Sequence, residues 1–598
     1  MSGGLIRNRL LLGGLAAVYF LGAGGSVFAA DGGMRTLHGN VPPTVAHLTS
    51  IGNLSATRQL NLAIGLPLHN QPELDELLRQ LYDPASPNFH KFLTPEEFTA
   101  RFGPTEADYA AVRDFARTNG MVVTGTYDDR LLLDVAGPAA AVQSAFHVTL
   151  RTYHHPTENR DFFAPDTEPT VESNLPIADV SGLQNYSRPR PKFHFVPRSL
   201  SPRAGSAPGS EYMGNDFRNA YVPGTTLDGS GQMVGLVQFD GFYASDITAY
   251  ESVAGRTNIP LQVVKLDGFS GTPTTGANTG NPEVSLDIEM AMSMAPALAR
   301  IVVFEGNPNN FIPNDVLNAM VASNTVKNLS CSWGWSVGPT TTTDNIFKMM
   351  AADGQSFFNA SGDSDAFPPG YVDNSASTTT PSSSPYITQV GGTTLTMNGS
   401  GASYNSETVW NWGYDSSAGG YVGTSGGVSS YYAIPAWQQG VNSFSTNGGS
   451  TTMRNIPDVA LTADNVYVTY GNGSTGDFGG TSCAAPLWAG FMALVNQQAA
   501  AGGQANGIGF INPAIYEIAN ESIYNSAFND ITTGNNTWPS SPDSFYAVPG
   551  YDLCTGLGTP AGTALIYALV NPDPLVVVSN AGFNAVISPD GTSSIGSQ

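Results

Sequence analysis

The sequence predicts an α/β protein in two parts: a small α+β domain, then a larger domain built on a doubly wound parallel sheet. Three observations carry this reading. Strand-like runs recur at 233–239, 261–266, 300–304, 326–332 and 356–360, with helical segments at 244–254, 282–294, 312–323 and 343–352 between them. Strand then helix at this rhythm gives parallel strands covered on both faces. The chain has 598 residues, more than one domain of roughly 100–200 residues. The charge also breaks near residue 204: residues 1–204 hold 17 Lys+Arg and 19 Asp+Glu, leaving 7 and 29 of the totals of 24 and 48 for residues 205–598.

The first segment, residues 1–29, has Arg7 and Arg9, an apolar run and Val27-Phe28-Ala29 at its end. This is the pattern of a secretory signal peptide cut after Ala29, and it predicts an extracellular or periplasmic protein. No later stretch is long and apolar enough to span a bilayer, so no membrane association is expected once the signal is removed. Within residues 30–187 a strand at 61–68 is followed by a helix at 72–82, capped by Asn70 and striped with Leu74, Leu77, Leu78 and Leu81. Thr94-Pro95-Glu96-Glu97 starts a second helix, and Thr105 caps a third that Asn119-Gly120 ends. Strands at 121–126 and 131–135, a helix at 138–145 and a strand at 147–153 complete a split βαβ, ferredoxin-like arrangement.

Residues 188–210 are basic and Pro-rich (Ser187-Arg-Pro-Arg-Pro-Lys192, Val196-Pro-Arg-Ser-Leu-Ser-Pro-Arg203) and read as an exposed, cleavable linker. Signal, compact domain, linker and a large domain at 211–570 together describe a secreted zymogen whose first domain is a propeptide. The acidic large domain excludes nucleic acid as a partner. Near pH 4 its carboxylates would be largely protonated against only 7 fixed cations, so charge repulsion on acidification would be small. All eight histidines lie at or before His194, so a cut beyond that point leaves a domain without histidine. Any base for a nucleophile there is a carboxylate, a lysine or the new N-terminus. A carboxylate near pKa 4.3 works as a base in acid, where a histidine is protonated. The three cysteines, Cys331, Cys483 and Cys554, leave at least one thiol unpaired and match no metal spacing.

The candidate nucleophile lies in Phe478-Gly-Gly-Thr-Ser-Cys-Ala-Ala-Pro486, ahead of an apolar helix. Two glycines permit a tight turn, and Ser482 then stands at a helix start with free N–H groups and the positive end of the dipole. Pro486 is expected near the first turn of that helix. A second helix, with Asn281 as cap and Pro282 at its first position, puts Glu283 and Asp287 one turn apart on a stripe continued by Met290 and Met294. That stripe faces inward, so the two carboxylates are buried and coupled, with Glu283 a candidate base and Asp287 behind it. Asp363, in Ser361-Gly362-Asp363, follows a strand at its carboxyl end.

These stretches resemble the sedolisin (serine-carboxyl peptidase) family, close to its kumamolisin-like members. Gly479-Gly-Thr-Ser482 with Pro486 is similar to the family's nucleophile motif, Glu283-Val-Ser-Leu-Asp287 to its paired acids, and Ser361-Gly-Asp363 to its oxyanion aspartate. Supporting stretches are Ser332-Trp-Gly334, Val390-Gly-Gly-Thr-Thr394, Ser406-Glu-Thr-Val-Trp410, Ile456-Pro-Asp-Val-Ala460 and Asp552-Leu-Cys-Thr-Gly-Leu-Gly558, and His90-Lys-Phe-Leu-Thr-Pro-Glu-Glu-Phe98 resembles the activation domain. The resemblance implies a subtilisin-like fold, Ser482 attacking a peptide carbonyl, Glu283 as base and then acid, and Asp287 holding it. Protonated Asp363 would donate to the oxyanion beside the Ser482 N–H. It implies one structural calcium ion held by Asp530, Asp552 and the carbonyls of Ile531, Val548 and Gly550. It also implies polypeptide substrates, a propeptide acting as intramolecular inhibitor, and a monomer. Endopeptidase is expected over tripeptidyl exopeptidase, and an enzyme over a catalytically dead binding scaffold. One departure is Gln238, where the family often extends the acid chain with a further Glu; an amide keeps the hydrogen bonds but cannot share a proton. Cys483 reads as structural packing, and the tail, 571–598, as one strand at 575–579 followed by weak order, with no function.

Overall fold

The computed structural model describes residues 33–196, 204–276, 279–335, 340–367, 383–441, 444–541, 545–571, 576–580, 583–587 and 593–596. The expected signal peptide and residues 197–203 of the linker lie outside these. Among the described residues no helix is long and apolar enough to cross a membrane.

The first domain carries a four-stranded antiparallel sheet in the order Val122–Thr126, Leu132–Pro138, Gln59–Gly65, Asp179–Ser181. The helices Gln71–Leu81, Glu106–Thr118 and Ala139–Phe146 complete the ferredoxin-like arrangement. One strand moves. The segment expected to close this sheet, Leu150–His154, pairs instead with Gly52–Asn53 and Asp161–Pro165 in a separate sheet, and Asp179–Ser181 takes the edge position. Alternation in a sequence marks a strand and its buried face, but it does not name the partner. Thr94 and Thr105 each form a full capping box, with Glu97 and Asp108. Asn70 does not cap: at φ 51° its side-chain amide donates to the Arg101 carbonyl at 3.0 Å.

Eight strands form the main sheet of the second domain: β1 (Met233–Gln238), β2 (Leu261–Lys265), β3 (Arg300–Glu305), β4 (Asn328–Cys331), β5 (Ser356–Ala360), β6 (Thr388–Asn398), β7 (Ser403–Val409) and β8 (Val459–Thr462). Their order is β2-β3-β1-β4-β5-β6-β7, with β8 also on β6, and every pair is parallel except β6–β7. The strands and helices read from the sequence fall within two residues of those observed, because both periodicities come from one buried face per element. Two helices matter for the site, α1 (Asn281–Met294) and α2 (Thr481–Ala501), and they pack on each other. All fourteen residues of α1 are buried. A β-carbon on Gly490 of α2 would stand 2.8 Å from Met294 Cβ and 3.0 Å from the Ala291 carbonyl, so only glycine allows the helices this close.

The first domain docks on the second through shared apolar burial and specific polar bonds. Leu74, Leu77, Leu78, Leu81, Phe98 and Phe102 join the large domain's core, while a second cluster around Leu62, Ile64 and Phe146 is the small domain's own. Tyr82 Oη donates to the Ala351 carbonyl at 2.6 Å and accepts from the Phe510 N–H at 3.0 Å. The Phe92 ring occupies the space that β-carbons on Gly354 and Gly509 would need. Asp179 accepts from Thr342 N–H and Oγ1 at 2.8 and 2.9 Å, Asp129 from Asn318 Nδ2 at 3.0 Å, and Lys348 pairs with Asp75 at 2.7 Å. At the other end, Val576–Asn580, Phe583–Ile587 and Ser593–Gly596 pair antiparallel, so the tail holds three strands where one was expected; Leu575 lies outside the described residues.

The acid-tolerant charge balance has a counterpart in the interior. Burial pushes Asp129 up to about 6, Glu305 up to about 7 and Asp365 up to about 8. A carboxyl raised in the folded state keeps a proton that the unfolded chain has lost, so its stabilisation is whole below about pH 4 and fades as pH rises through the folded value. The precursor's melting temperature should therefore fall between about pH 4.5 and pH 8 at fixed ionic strength. Calorimetry that finds it unchanged or higher at pH 8 would contradict this.

Candidate active site

The hairpin of Val466–Tyr470 and Ser474–Gly479 delivers the chain to Gly480, at φ +147°. A β-carbon there would stand 2.4 Å from the Lys192 carbonyl oxygen and 2.9 Å from Asp363 Oδ2, which fixes glycine at this turn. α2 begins at once. Its first N–H, on Thr481, donates to Asp363 Oδ1 at 2.9 Å, and Thr481 Oγ1 donates to the same oxygen at 2.7 Å. Asp363 thus supplies from another loop the partner that a helix start lacks. Pro486 is not in the first turn: α2 runs through it. The N–H it lacks would have reached the Ser482 carbonyl, which instead accepts from Ser332 Oγ at 3.4 Å.

Ser482 Oγ donates to Glu283 Oε2 at 3.0 Å, with both residues wholly buried. Asp287 lies one turn along α1. Its Oδ1 accepts from Ser332 Oγ at 2.6 Å and its Oδ2 from Gln238 Nε2 at 2.6 Å, while Gln238 Oε1 accepts from Trp333 Nε1 at 2.7 Å. Gln238 therefore keeps the bonding pattern expected of it. Among the described residues no hydrogen bond joins Glu283 to Asp287, and Glu283 Oε1 has no partner. The bonds of Glu283 go to Ser482 and the Lys192 N–H, and those of Asp287 to Ser332 and Gln238. Burial first, then the Asp287 charge, drives Glu283 well above the ordinary carboxylate range; burial also raises Asp287. Burial likewise raises Asp363, opposed by His194 and by the Thr481 bonds. Asp363 Oδ2 has no hydrogen-bond partner among the described residues. α1 itself starts one residue early: Gly280 is the cap position, and Asn281, inside the helix, accepts from Gly471 N–H at 2.9 Å and donates to the Gly241 carbonyl at 3.1 Å.

Part of the linker, residues 190–196, is seated in the cleft rather than free. Arg190–Pro191 pairs antiparallel with Trp333–Gly334, and His194–Phe195 pairs antiparallel with Phe478 and Gly479. Between them the Lys192 N–H donates to Glu283 Oε2 at 2.8 Å and to the Ser332 carbonyl at 3.2 Å, and Ser482 Oγ donates to the Lys192 carbonyl. Extended backbone must find partners for its N–H and C=O groups, and the two cleft edges provide them. Ser187, Lys192 and Val196 are buried as a result. Composition alone, basic and Pro-rich, does not reveal this seat; the signal present was the short alternation Lys192-Phe-His-Phe195. The histidine argument narrows too. His194 lies on the peptidase side of the Lys192–Phe193 bond, with Nε2 3.8 Å from Asp363 Oδ2, so a cut at that bond retains it. It faces Asp363 and leaves Glu283 as the group on Ser482.

The cysteines are free and buried, and burial pushes the Cys483 thiol well up, which suits packing beside Ser482. Among the described residues no three His, Cys, Asp or Glu side chains cluster as a metal site. The expected calcium ligands include only two carboxylates. Asp530 Oδ2 accepts from Gly550 N–H at 2.9 Å and Asp552 Oδ2 from Val548 N–H at 3.3 Å, so both meet the 548–552 segment. Asp530 Oδ1 is buried without a partner, a site that suits a hard cation completed by carbonyl oxygens.

A serine at a helix start, opposite a buried acid and beneath a strand-paired peptide from its own leader, defines a serine peptidase with a pro-domain. Residues 46–186 match the family described as pro-kumamolisin, activation domain, and residues 280–522 the subtilase family. The chain is 32% identical to kumamolisin of Bacillus sp. (strain MN-32), over 81% of this chain and 87% of that protein. It is 28% identical to sedolisin of Pseudomonas sp. (strain 101), over 85% and 86%, and 24% identical to tripeptidyl-peptidase 1 of Mus musculus, over 88% and 94%. The solved structure of Pseudomonas sedolisin (serine-carboxyl proteinase) with pseudo-iodotyrostatin superposes with a TM-score of 0.51 at 26% identity, covering 62% of this chain and all of that one. The chain belongs to the sedolisin family of serine peptidases and carries a kumamolisin-type activation domain.

Gly480→Ala places a methyl group against the peptide carbonyl and Asp363. It should lower the melting temperature and lower peptidase activity of the folded enzyme by about two orders of magnitude, the effect of an ångström-scale misplacement. A variant that melts normally and cuts casein at the wild-type rate would contradict this.

Proposed function

We propose that the protein is a secreted, acid-acting serine-carboxyl endopeptidase, made as a zymogen that processes itself. One observation carries the reading: the Lys192–Phe193 peptide lies across Ser482, whose Oγ is hydrogen-bonded to Glu283 at 3.0 Å. In the reaction, Ser482 Oγ bonds to the peptide carbonyl carbon while its proton passes to Glu283 Oε2. The C–N bond then breaks, the leaving amine takes that proton, and water completes hydrolysis of the acyl-enzyme by the same route in reverse. Asp287 is the second acid of a buried pair with Glu283, and the pair titrates as a unit. Asp363, raised by burial, holds its proton in acid and donates from Oδ2 to the oxyanion; ionised, it would repel that charge.

The seated linker supports endopeptidase over tripeptidyl exopeptidase. Chain continues on both sides of the cut bond, paired along both cleft edges, whereas a tripeptidyl enzyme needs a free amine three residues before the bond. The same seat accounts for inhibition by the propeptide, since it fills the cleft. Secretion rests on the pattern of residues 1–29. One calcium ion, held by Asp530, Asp552 and the carbonyls of Ile531, Val548 and Gly550, would tie the C-terminal segments together.

Three measurements test this reading. Incubated near pH 4, the precursor should be cut within 188–210 while Ser482→Ala stays whole; equal cutting of both would assign processing to another agent. Activity should fall as pH rises and Asp363 ionises, and Asp363→Asn, which cannot ionise, should flatten that limb at lower overall rate; full wild-type activity at pH 8 would sink the mechanism. Chelation by EDTA should lower the melting temperature, and no shift would remove the calcium assignment.

A further inference from the structure

The seated linker shows more than where the chain is cut, because its side chains occupy the cleft as a substrate's would. Lys192 is buried to its tip, its Nζ donating to the Ala360 carbonyl at 2.7 Å at the carboxyl end of β5. The preceding residue, Asn359, donates its side-chain amide to the same carbonyl at 3.0 Å. Burial lowers the pKa of this ammonium to about 8, still well above an acid working pH, so the head group stays charged. The pocket is therefore polar at its base and presents an acceptor. Past the cut bond the surroundings change. The Phe193 ring lies 5.2 Å from Phe478, and the Phe195 ring lies 4.7 Å from Phe478 and 5.9 Å from Tyr470, on the hairpin that leads into Ser482. Phe193 and Phe195 also meet each other at 5.9 Å, so the two rings and the hairpin form one aromatic patch.

We infer that the cleft selects peptides with lysine immediately before the cut bond and aromatic residues at the first and third positions after it. The inference rests on the endopeptidase reading and names its substrate class. Lysine is chosen because its stem fills the pocket and its head group meets the Ala360 carbonyl; a side chain of equal length without a donor loses that 2.7 Å bond and leaves the carbonyl with Asn359 Nδ2 alone. The aromatic positions are chosen by ring contact with Phe478 and Tyr470, which stand on the peptidase rather than on the propeptide.

The test uses acid-processed enzyme and an internally quenched decapeptide with the sequence of residues 188–197. It should be cut between lysine and phenylalanine. Replacing its lysine by norleucine, which keeps the stem and removes the donor, should lower kcat/KM by about tenfold or more, and replacing either phenylalanine by alanine should lower it several-fold. On the enzyme side, Tyr470→Ala should lower kcat/KM for the phenylalanine peptide by a larger factor than for a peptide with alanine at the third position. Equal rates for lysine and norleucine, or cutting at another bond, would overturn the inference. So would casein cleavage with no cut in any of these peptides. Failure to cut casein as well would bring down the endopeptidase reading itself.

Discussion

The close crossing of α1 and α2 at Gly490 is the constraint on which the site depends. Gly490 lies eight residues after Ser482, and Ala291, whose carbonyl it meets, lies eight after Glu283. The two helices thus run side by side in step for two turns, each bringing one reacting group to the same end. Any side chain at 490 would push the axes apart and open the 3.0 Å Ser482–Glu283 bond, although it stands about 12 Å along the helix at 1.5 Å per residue. The burial of all of α1 follows from the same packing, and that burial sets the proton affinity of its acids. Helix packing and acid chemistry have one cause here.

The rest of the site is made of groups that replace a missing partner. Asp363 takes the first N–H of α2; Ser332 takes the carbonyl that Pro486 releases and also donates to Asp287. Gln238 and Trp333 then hold the far side of Asp287. Each of these residues comes from the carboxyl end of a parallel strand or the loop just past it, where open α/β sheets place their ligands. The sheet order, with β4 between β1 and β5, brings those ends together.

Much of this was legible in the chain because it is local. The five strands, the four helices, the capping boxes of Thr94 and Thr105, and the i, i+4 pair Glu283 and Asp287 all depend on a few neighbouring residues. What was not legible depends on distant partners. Leu150–His154 was recognisable as a strand, but not that it leaves the first sheet. Pro486 was placed in the first turn because only a structure shows that Ser332 satisfies the carbonyl it frees. The seat of residues 190–196 of the linker was missed because their partners, Trp333–Gly334 and Phe478–Gly479, lie some 140 and 280 residues away in sequence. A basic, Pro-rich composition cannot reveal a cleft that another domain supplies.

The docking of Phe92 into the space above Gly354 and Gly509 separates two events that a single cut might be thought to combine. None of the bonds that seat the small domain, from Tyr82 on Ala351 and Phe510 to Asp179 on Thr342, passes through the linker. Severing the chain at Lys192 leaves all of them in place. The small domain is held by its own apolar burial and by Phe92 between the two glycines, and the cleft is filled separately by the Lys192 segment.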